Sequence, residues 1–139
     1  YQHNFTGFDL NKNLTPYTDL LALFRYVFWH FGATRITFEH SRPVVTVDAT
    51  HLRGSYKGKA IVAVVKTAND RVVPIAYAII DEESNHSWYW FLKYLKLHVL
   101  LDRFTCIISD RNSGILSATA KLDTKFPNWG VHRLPLTLL

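Results

Sequence analysis

Methionine is absent from this chain, and cysteine occurs once, at Cys106. A sequence that starts at Tyr1 with no methionine anywhere reads as a piece of a longer translation product. One cysteine cannot close an internal disulfide, so a disulfide-stapled secreted scaffold is excluded and a reducing compartment fits. No apolar run approaches the roughly 20 residues needed to cross a bilayer, so no membrane role is expected. Residues 1–13 lack both the basic start and the apolar stretch of a signal peptide. There is no phosphate-cradling glycine-rich loop, no Gly-x-Ser-x-Gly elbow and no Cys/His nucleophile motif. The seven histidines show no pair at metal-ligand spacing, which sets a zinc site aside.

What is present points to one globular domain. Hydrophobic residues make up 48% of the 139 positions and charged ones only 19%, too apolar for a disordered tail and too short for two comfortable domains. The net charge of +5 fits a nucleic-acid partner, although no run of Lys or Arg concentrates it.

Periodicity predicts a helix over Thr18 to Phe31, because Leu20, Leu21, Leu23, Phe24, Val27, Phe28 and Phe31 recur at helical spacing and Gly32 follows. The polar stretch Asn4 to Pro16 reads as a flexible lead-in. After Arg42-Pro43, three strands are expected: one from Val44 to Asp48, one from Ala60 to Lys66 and one from Val72 to Ile80. The turn chemistry at Ala68 to Arg71 makes the last two an antiparallel hairpin. Ser84 or Asn85 caps a second helix carrying Trp88, Phe91, Leu92, Leu95 and Val99 on one face, with Trp90, Tyr94 and Leu97 widening the arc. A fourth strand follows at Thr105 to Ser109, then a helix opened by Asn112 or Ser113, and a fifth strand near Trp129 to Arg133. The expected class is α/β, with three antiparallel strands followed by α/β crossovers in a mixed sheet. Residues 1–41 form the lead-in and first helix, and 42–139 the main body.

Two aspartates close strongly β-type runs: Asp48 ends Val44-Val45-Thr46-Val47, and Asp110 ends Phe104-Thr105-Cys106-Ile107-Ile108-Ser109. Carboxylates at the ends of neighbouring strands suit a shared divalent cation and phosphodiester chemistry. Asp is also common wherever a strand hands over to a loop or caps a helix, and for either residue alone that reading weighs more. The two strands have to be neighbours for the metal reading to hold.

Several ordered blocks resemble the plant Mutator-like transposase domain. They are Tyr26-Val27-Phe28-Trp29, Arg42-Pro43-Val44, DATHLRGSYKG from Asp48 to Gly58, VPIAYAIIDEESNHSWYWFL from Val73 to Leu92, and CIISDRNSGI from Cys106 to Ile115. Together they span about Tyr26 to Arg133. The resemblance implies a ribonuclease-H-like fold and a DDE transposase, which cuts and joins DNA with three carboxylates and a divalent metal, Mg²⁺ or Mn²⁺. It makes Asp48 the first acid and Asp110 the second, both metal ligands. It also implies a DNA partner, transposon ends and target alike, and a nuclear location, and it leaves a homo-oligomer open for the intact protein.

The third acid of that family is a Glu on a later helix, preceded by Cys-x-x-His. Here the chain matches as far as Val131-His132-Arg133 and then departs into Leu134 to Leu139, which carry no acid, cysteine or histidine. The expectation is a C-terminally incomplete catalytic core with weak metal affinity and no turnover of its own. Glu82 and Glu83 lie ahead of the second helix, where its dipole favours acids, and that reading weighs more. Glu83 nevertheless stands as a candidate substitute acid. Arg53, Lys57, Lys59 and Arg111 flank the two aspartates and are candidate phosphate contacts, with a solvated surface role equally open. His51 reads as a packing or hydrogen-bonding residue, and the Ser87, Trp88, Trp90 and Phe91 block as core. The alternative function is a domesticated, transposase-derived DNA-binding or regulatory protein that keeps the fold without cleavage. A relic unable to fold alone is the third reading.

Overall fold

The computed structural model describes residues 3–10, 24–126 and 131–135. In chain order these form β1 (His3–Leu10), β2 (Phe24–Phe31), α1 (Gly32–Glu39), β3 (Val44–His51), β4 (Lys59–Lys66), β5 (Val72–Ile80) and α2 (Asn85–Leu95). A π-helical turn, Lys96–Leu100, continues α2, and β6 (Thr105–Ser109), α3 (Ser113–Lys125) and β7 (Val131–Pro135) complete the order. All the strands join one sheet in the spatial order β1-β2-β5-β4-β3-β6-β7. The arrangement is that of a ribonuclease-H-like α/β fold.

The antiparallel meander expected from sequence is β3-β4-β5. The crossover through α2 then returns β6 parallel to β3, and the crossover through α3 sets β7 parallel to β6. Burial follows the two-residue period of a strand: Val45 and Val47 in β3, and Ile61, Ala63 and Val65 in β4, are buried, while Val44, Thr46, Val62 and Val64 are half-buried. The register between β4 and β5 slips between Ala63 and Val64, which pairs with Pro74. Proline has no N–H to give to the ladder, so the strand yields there.

Helix α2 lies on the buried face. Ser84 and Ser87 cap it reciprocally: the Ser87 amide donates to Ser84 Oγ at 3.1 Å and the Ser84 amide to Ser87 Oγ at 2.8 Å. Trp88, Trp90, Phe91, Leu92 and Leu95 are buried, each apolar side chain contributing roughly 1.5–3 kcal/mol by leaving water. Trp90 meets Tyr26 with ring centroids 5.0 Å apart, and Phe91 meets Phe28 at 5.8 Å. The helix is packed on its second side by α3, as its apolar breadth predicts.

Three expectations are corrected. The run expected to be a helix from Thr18 to Phe31 is strand β2 from Phe24 onward, and Gly32 begins a helix instead of ending one. Nearly every residue from Phe24 to Phe31 is apolar or aromatic, so a helical period can be read into it. The aromatic-rich sequence prefers a pleated surface, with Tyr26, Phe28 and His30 buried and Val27, Trp29 and Phe31 half-buried between them. Residues 18–23 of that expected helix lie outside the described residues. The expected flexible lead-in contains β1, paired antiparallel with β2 from His3 opposite Phe31 to Leu10 opposite Phe24. The unpaired N–H and C=O groups on the edge of β2 supply its ladder. Residues 11–16 lie outside the described residues.

The strand expected to end at Asp48 runs on to His51, because Asp48 to His51 keep pairing with Val62 to Lys59.

Candidate functional site

The parallel register of β3 and β6 sets Val44 opposite Cys106, Val45 opposite Ile107 and Thr46 opposite Ile108. Asp48 lies two residues beyond Thr46, and Asp110 two residues beyond Ile108. The two strands are therefore neighbours, with Asp48 inside β3 and Asp110 directly after the last residue of β6. Both side chains are exposed. Asp48 Oδ1 accepts from the Ala49 amide at 3.0 Å, and Asp110 Oδ1 from the Asn112 amide at 3.1 Å. The Ser109 hydroxyl donates to the Asp110 carbonyl oxygen at 3.0 Å.

Asp110 stands between a strand and a helix N-terminus. Asn112 caps α3, its Oδ1 accepting from the Gly114 amide at 2.8 Å, which is the reason the chain turns helical directly after the aspartate.

Glu83 follows β5 and is mostly buried, with 14% of its side chain exposed. Lys59 Nζ donates to its Oε2 at 2.5 Å. Trp88 Nε1 and Asn112 Nδ2 donate to its Oε1 at 3.1 and 2.8 Å. Among the described residues no three His, Cys, Asp or Glu side chains gather as a group able to hold a metal ion. Asp48 and Asp110 thus come to adjoining strands, the second just past the end of its strand, while Asn112 links Glu83 to Asp110.

The basic candidates divide. Arg53 and Lys57 are exposed on the loop between β3 and β4, which the Leu52 amide closes by donating to the Gly58 carbonyl oxygen at 3.0 Å. Gly58 is required in that loop, because a Cβ there would stand 2.3 Å from the Ile80 carbonyl oxygen and from the Tyr56 ring. Burial, and then the charge of Asp81, raises the Tyr56 phenol of this loop above its ordinary range. Lys59 is committed to Glu83, and Arg111 is exposed beside Asp110. His51 is exposed at the end of β3, whereas Ser87, Trp88, Trp90 and Phe91 are core.

Sequence reading missed Asn112 as more than a cap. Its contact with Glu83 joins residues 29 apart in sequence, which no local pattern encodes.

A mixed ribonuclease-H-like sheet, with one aspartate in β3 and another directly after the neighbouring β6, defines the general class of the molecule. The family follows from the model of the MULE transposase domain, which matches residues 44–133. The chain belongs to that family. No curated protein is a significant match to it.

Proposed function

We propose that this chain is part of a DDE transposase catalytic core, in which Asp48 and Asp110 hold a divalent metal, Mg²⁺ or Mn²⁺, against the DNA backbone. The placement of these two exposed carboxylates, one in β3 and one directly after the adjoining parallel strand β6, carries the proposal. Two hard oxygen donors of this kind fit a small divalent cation that keeps several waters. When bound, such a cation lowers the pKa of an attacking water or hydroxyl and neutralises charge at the scissile phosphate. Asp48 and Asp110 supply the charge that draws it in, and Arg53, Lys57 and Arg111 surround them with positive charge for phosphates. On this reading the protein acts in the nucleus, on transposon ends and target DNA.

The absence of a three-carboxylate group among the described residues favours a second reading, a transposase-derived DNA-binding or regulatory protein that does not cut. Thermal unfolding with Mn²⁺ separates the two. Under the first, Mn²⁺ at tenfold above its dissociation constant stabilises the chain by about 1.4 kcal/mol, and Asp110→Asn abolishes the shift. Equal responses of wild type and Asp110→Asn overturn the metal reading, and retained DNA binding then supports the second.

A further inference from the structure

We infer that Glu83 is a positioning residue that sets the orientation of Asp110 through Asn112, and that it is not itself a metal ligand. The inference rests on the reading of Asp110 as a cation-holding acid and names what holds that acid in place.

Three donors converge on the Glu83 carboxylate. Lys59 takes one oxygen, and Trp88 and Asn112 share the other. A carboxylate offers about four acceptor sites, so most of its capacity is spent on partners that are themselves fixed. Lys59 is the first residue of β4 and Trp88 is 1% exposed in the core. A divalent cation at Glu83 would also stand next to the ammonium group 2.5 Å from its oxygen, and the two positive charges repel.

Asn112 carries the constraint onward. Its side-chain amide donates to Glu83, its Oδ1 accepts from the Gly114 amide, and its backbone amide donates to Asp110 Oδ1. Its carbonyl oxygen accepts from the Leu116 amide at 3.2 Å as the first turn of α3 forms. Side chain and main chain of Asn112 are thus pinned together, and one oxygen of the Asp110 carboxylate is bound to that main chain. The start of α3 has no room to move towards α2: a Cβ on Gly114 would lie 2.8 Å from Trp88 Cδ1, 2.9 Å from Asn112 Oδ1 and 3.0 Å from the Ser84 carbonyl oxygen. The sequence of contacts Lys59, Glu83, Asn112, Asp110 joins a strand of the meander to the acid that follows β6.

Amide hydrogen exchange followed by NMR, with Mn²⁺ affinity measured by electron paramagnetic resonance, tests the inference. Glu83→Ala speeds exchange at Asn112 and Gly114 about tenfold more than at Ala63 and Val65 of β4. The same variant weakens Mn²⁺ binding several-fold. Glu83→Gln keeps a carbonyl oxygen for Asn112 and Trp88 and restores both readouts while losing the ion pair with Lys59, so its melting temperature stays low. Asn112→Ala cuts the link from the other side and weakens Mn²⁺ binding as much as Glu83→Ala does, which covers the case in which Glu83→Ala does not fold. Unchanged protection at Asn112 and Gly114 in Glu83→Ala overturns the inference, as do losses in both Glu83 variants that merely follow their melting temperatures. If wild type binds no Mn²⁺ while protection still follows Glu83, the metal reading of the two aspartates falls and the positioning contact stands.

Discussion

The two ends of α2 are secured by different chemistry. At its N-terminus, Ser84 and Ser87 close on each other, and Glu83 gathers Lys59, Trp88 and Asn112 into a polar network with no space to spare at Gly114. At its C-terminus the helix relaxes into the π-helical turn, where His98 stacks on Tyr94 with centroids 5.6 Å apart and faces His30 at 6.4 Å. Leu101 ends that turn at a φ of 53°, its amide donating to the Lys96 carbonyl oxygen at 2.8 Å. Arg103 then reaches back across the sequence, donating to the carbonyl oxygens of Phe38 and Ser41 at the end of α1. A cleft of about 410 Å³ opens there, lined by residues that include Arg35, Phe38, Leu100 and Arg103. Directional hydrogen bonds to charge hold the end that adjoins Asp110. Ring stacking and one arginine hold the far end, where no candidate site residue lies.

The largest effect expected from breaking this contrast is at the far end. Arg103→Ala removes two charge-assisted hydrogen bonds and the stacking of the guanidinium on Phe38, 4.9 Å from its ring centre. Urea denaturation should show a loss of about 1.5–3 kcal/mol. Mn²⁺ affinity of the folded variant should be that of wild type, since the lesion lies far from the aspartates.

At the near end, Gly114→Ala forces a methyl group against Trp88, Asn112 and Ser84. It should cost about 1–3 kcal/mol and weaken Mn²⁺ binding together with stability. Gly32→Ala is its control, because nothing lies within 4 Å of a Cβ at that position. There the same change should be neutral or stabilising by about 0.4–1 kcal/mol, through a less flexible unfolded chain.

The smallest effect is a slope with pH. Burial lowers the pKa of His30 below its ordinary 6.5, assisted by the charge of Arg35 and opposed by the Phe31 carbonyl oxygen 3.2 Å from its Nδ1. Burial likewise lowers His98, with His30 and Arg35 adding to it. The folded state then binds fewer protons than the unfolded one once pH drops below about 6.5, so stability is full above that value and declines as pH falls. Melting temperatures measured between pH 7.5 and 5 should fall on the acid side. A His30→Phe, His98→Phe double variant should flatten that part of the slope, and an unchanged slope would assign it to other groups.

Much of the fold was legible because local chemistry and tertiary placement agree. The runs Val72 to Ile80 and Thr105 to Ser109 are strands with those bounds, and Ser84 and Asn112 are the caps that their side chains suggest. The run from Phe24 to Phe31 misleads because an almost uninterrupted apolar segment satisfies helix and strand periods alike. Its strand state is decided by the edge of β5, which pairs with it from Tyr26 opposite Ile80 to Trp29 opposite Tyr77. The pair of aspartates was visible as two acids that close apolar runs, although β3 continues past Asp48 to His51. Glu83 was visible only as an acid ahead of a helix, and its three partners come from a strand 24 residues before it, a tryptophan five after and an asparagine 29 after.

The sequence by itself determined the elements from β3 onward, the caps of α2 and α3, the family and the choice of the two aspartates as candidates, because these depend on neighbours along the chain or on ordered blocks that can be matched. Only the tertiary structure decided that β3 and β6 lie side by side, that Phe24 to Phe31 is a strand, and that Lys59, Glu83 and Asn112 meet beside Asp110. Each of those outcomes depends on which groups remain unpaired at a sheet edge or on a helix end, and that is known only once the other elements have taken their places.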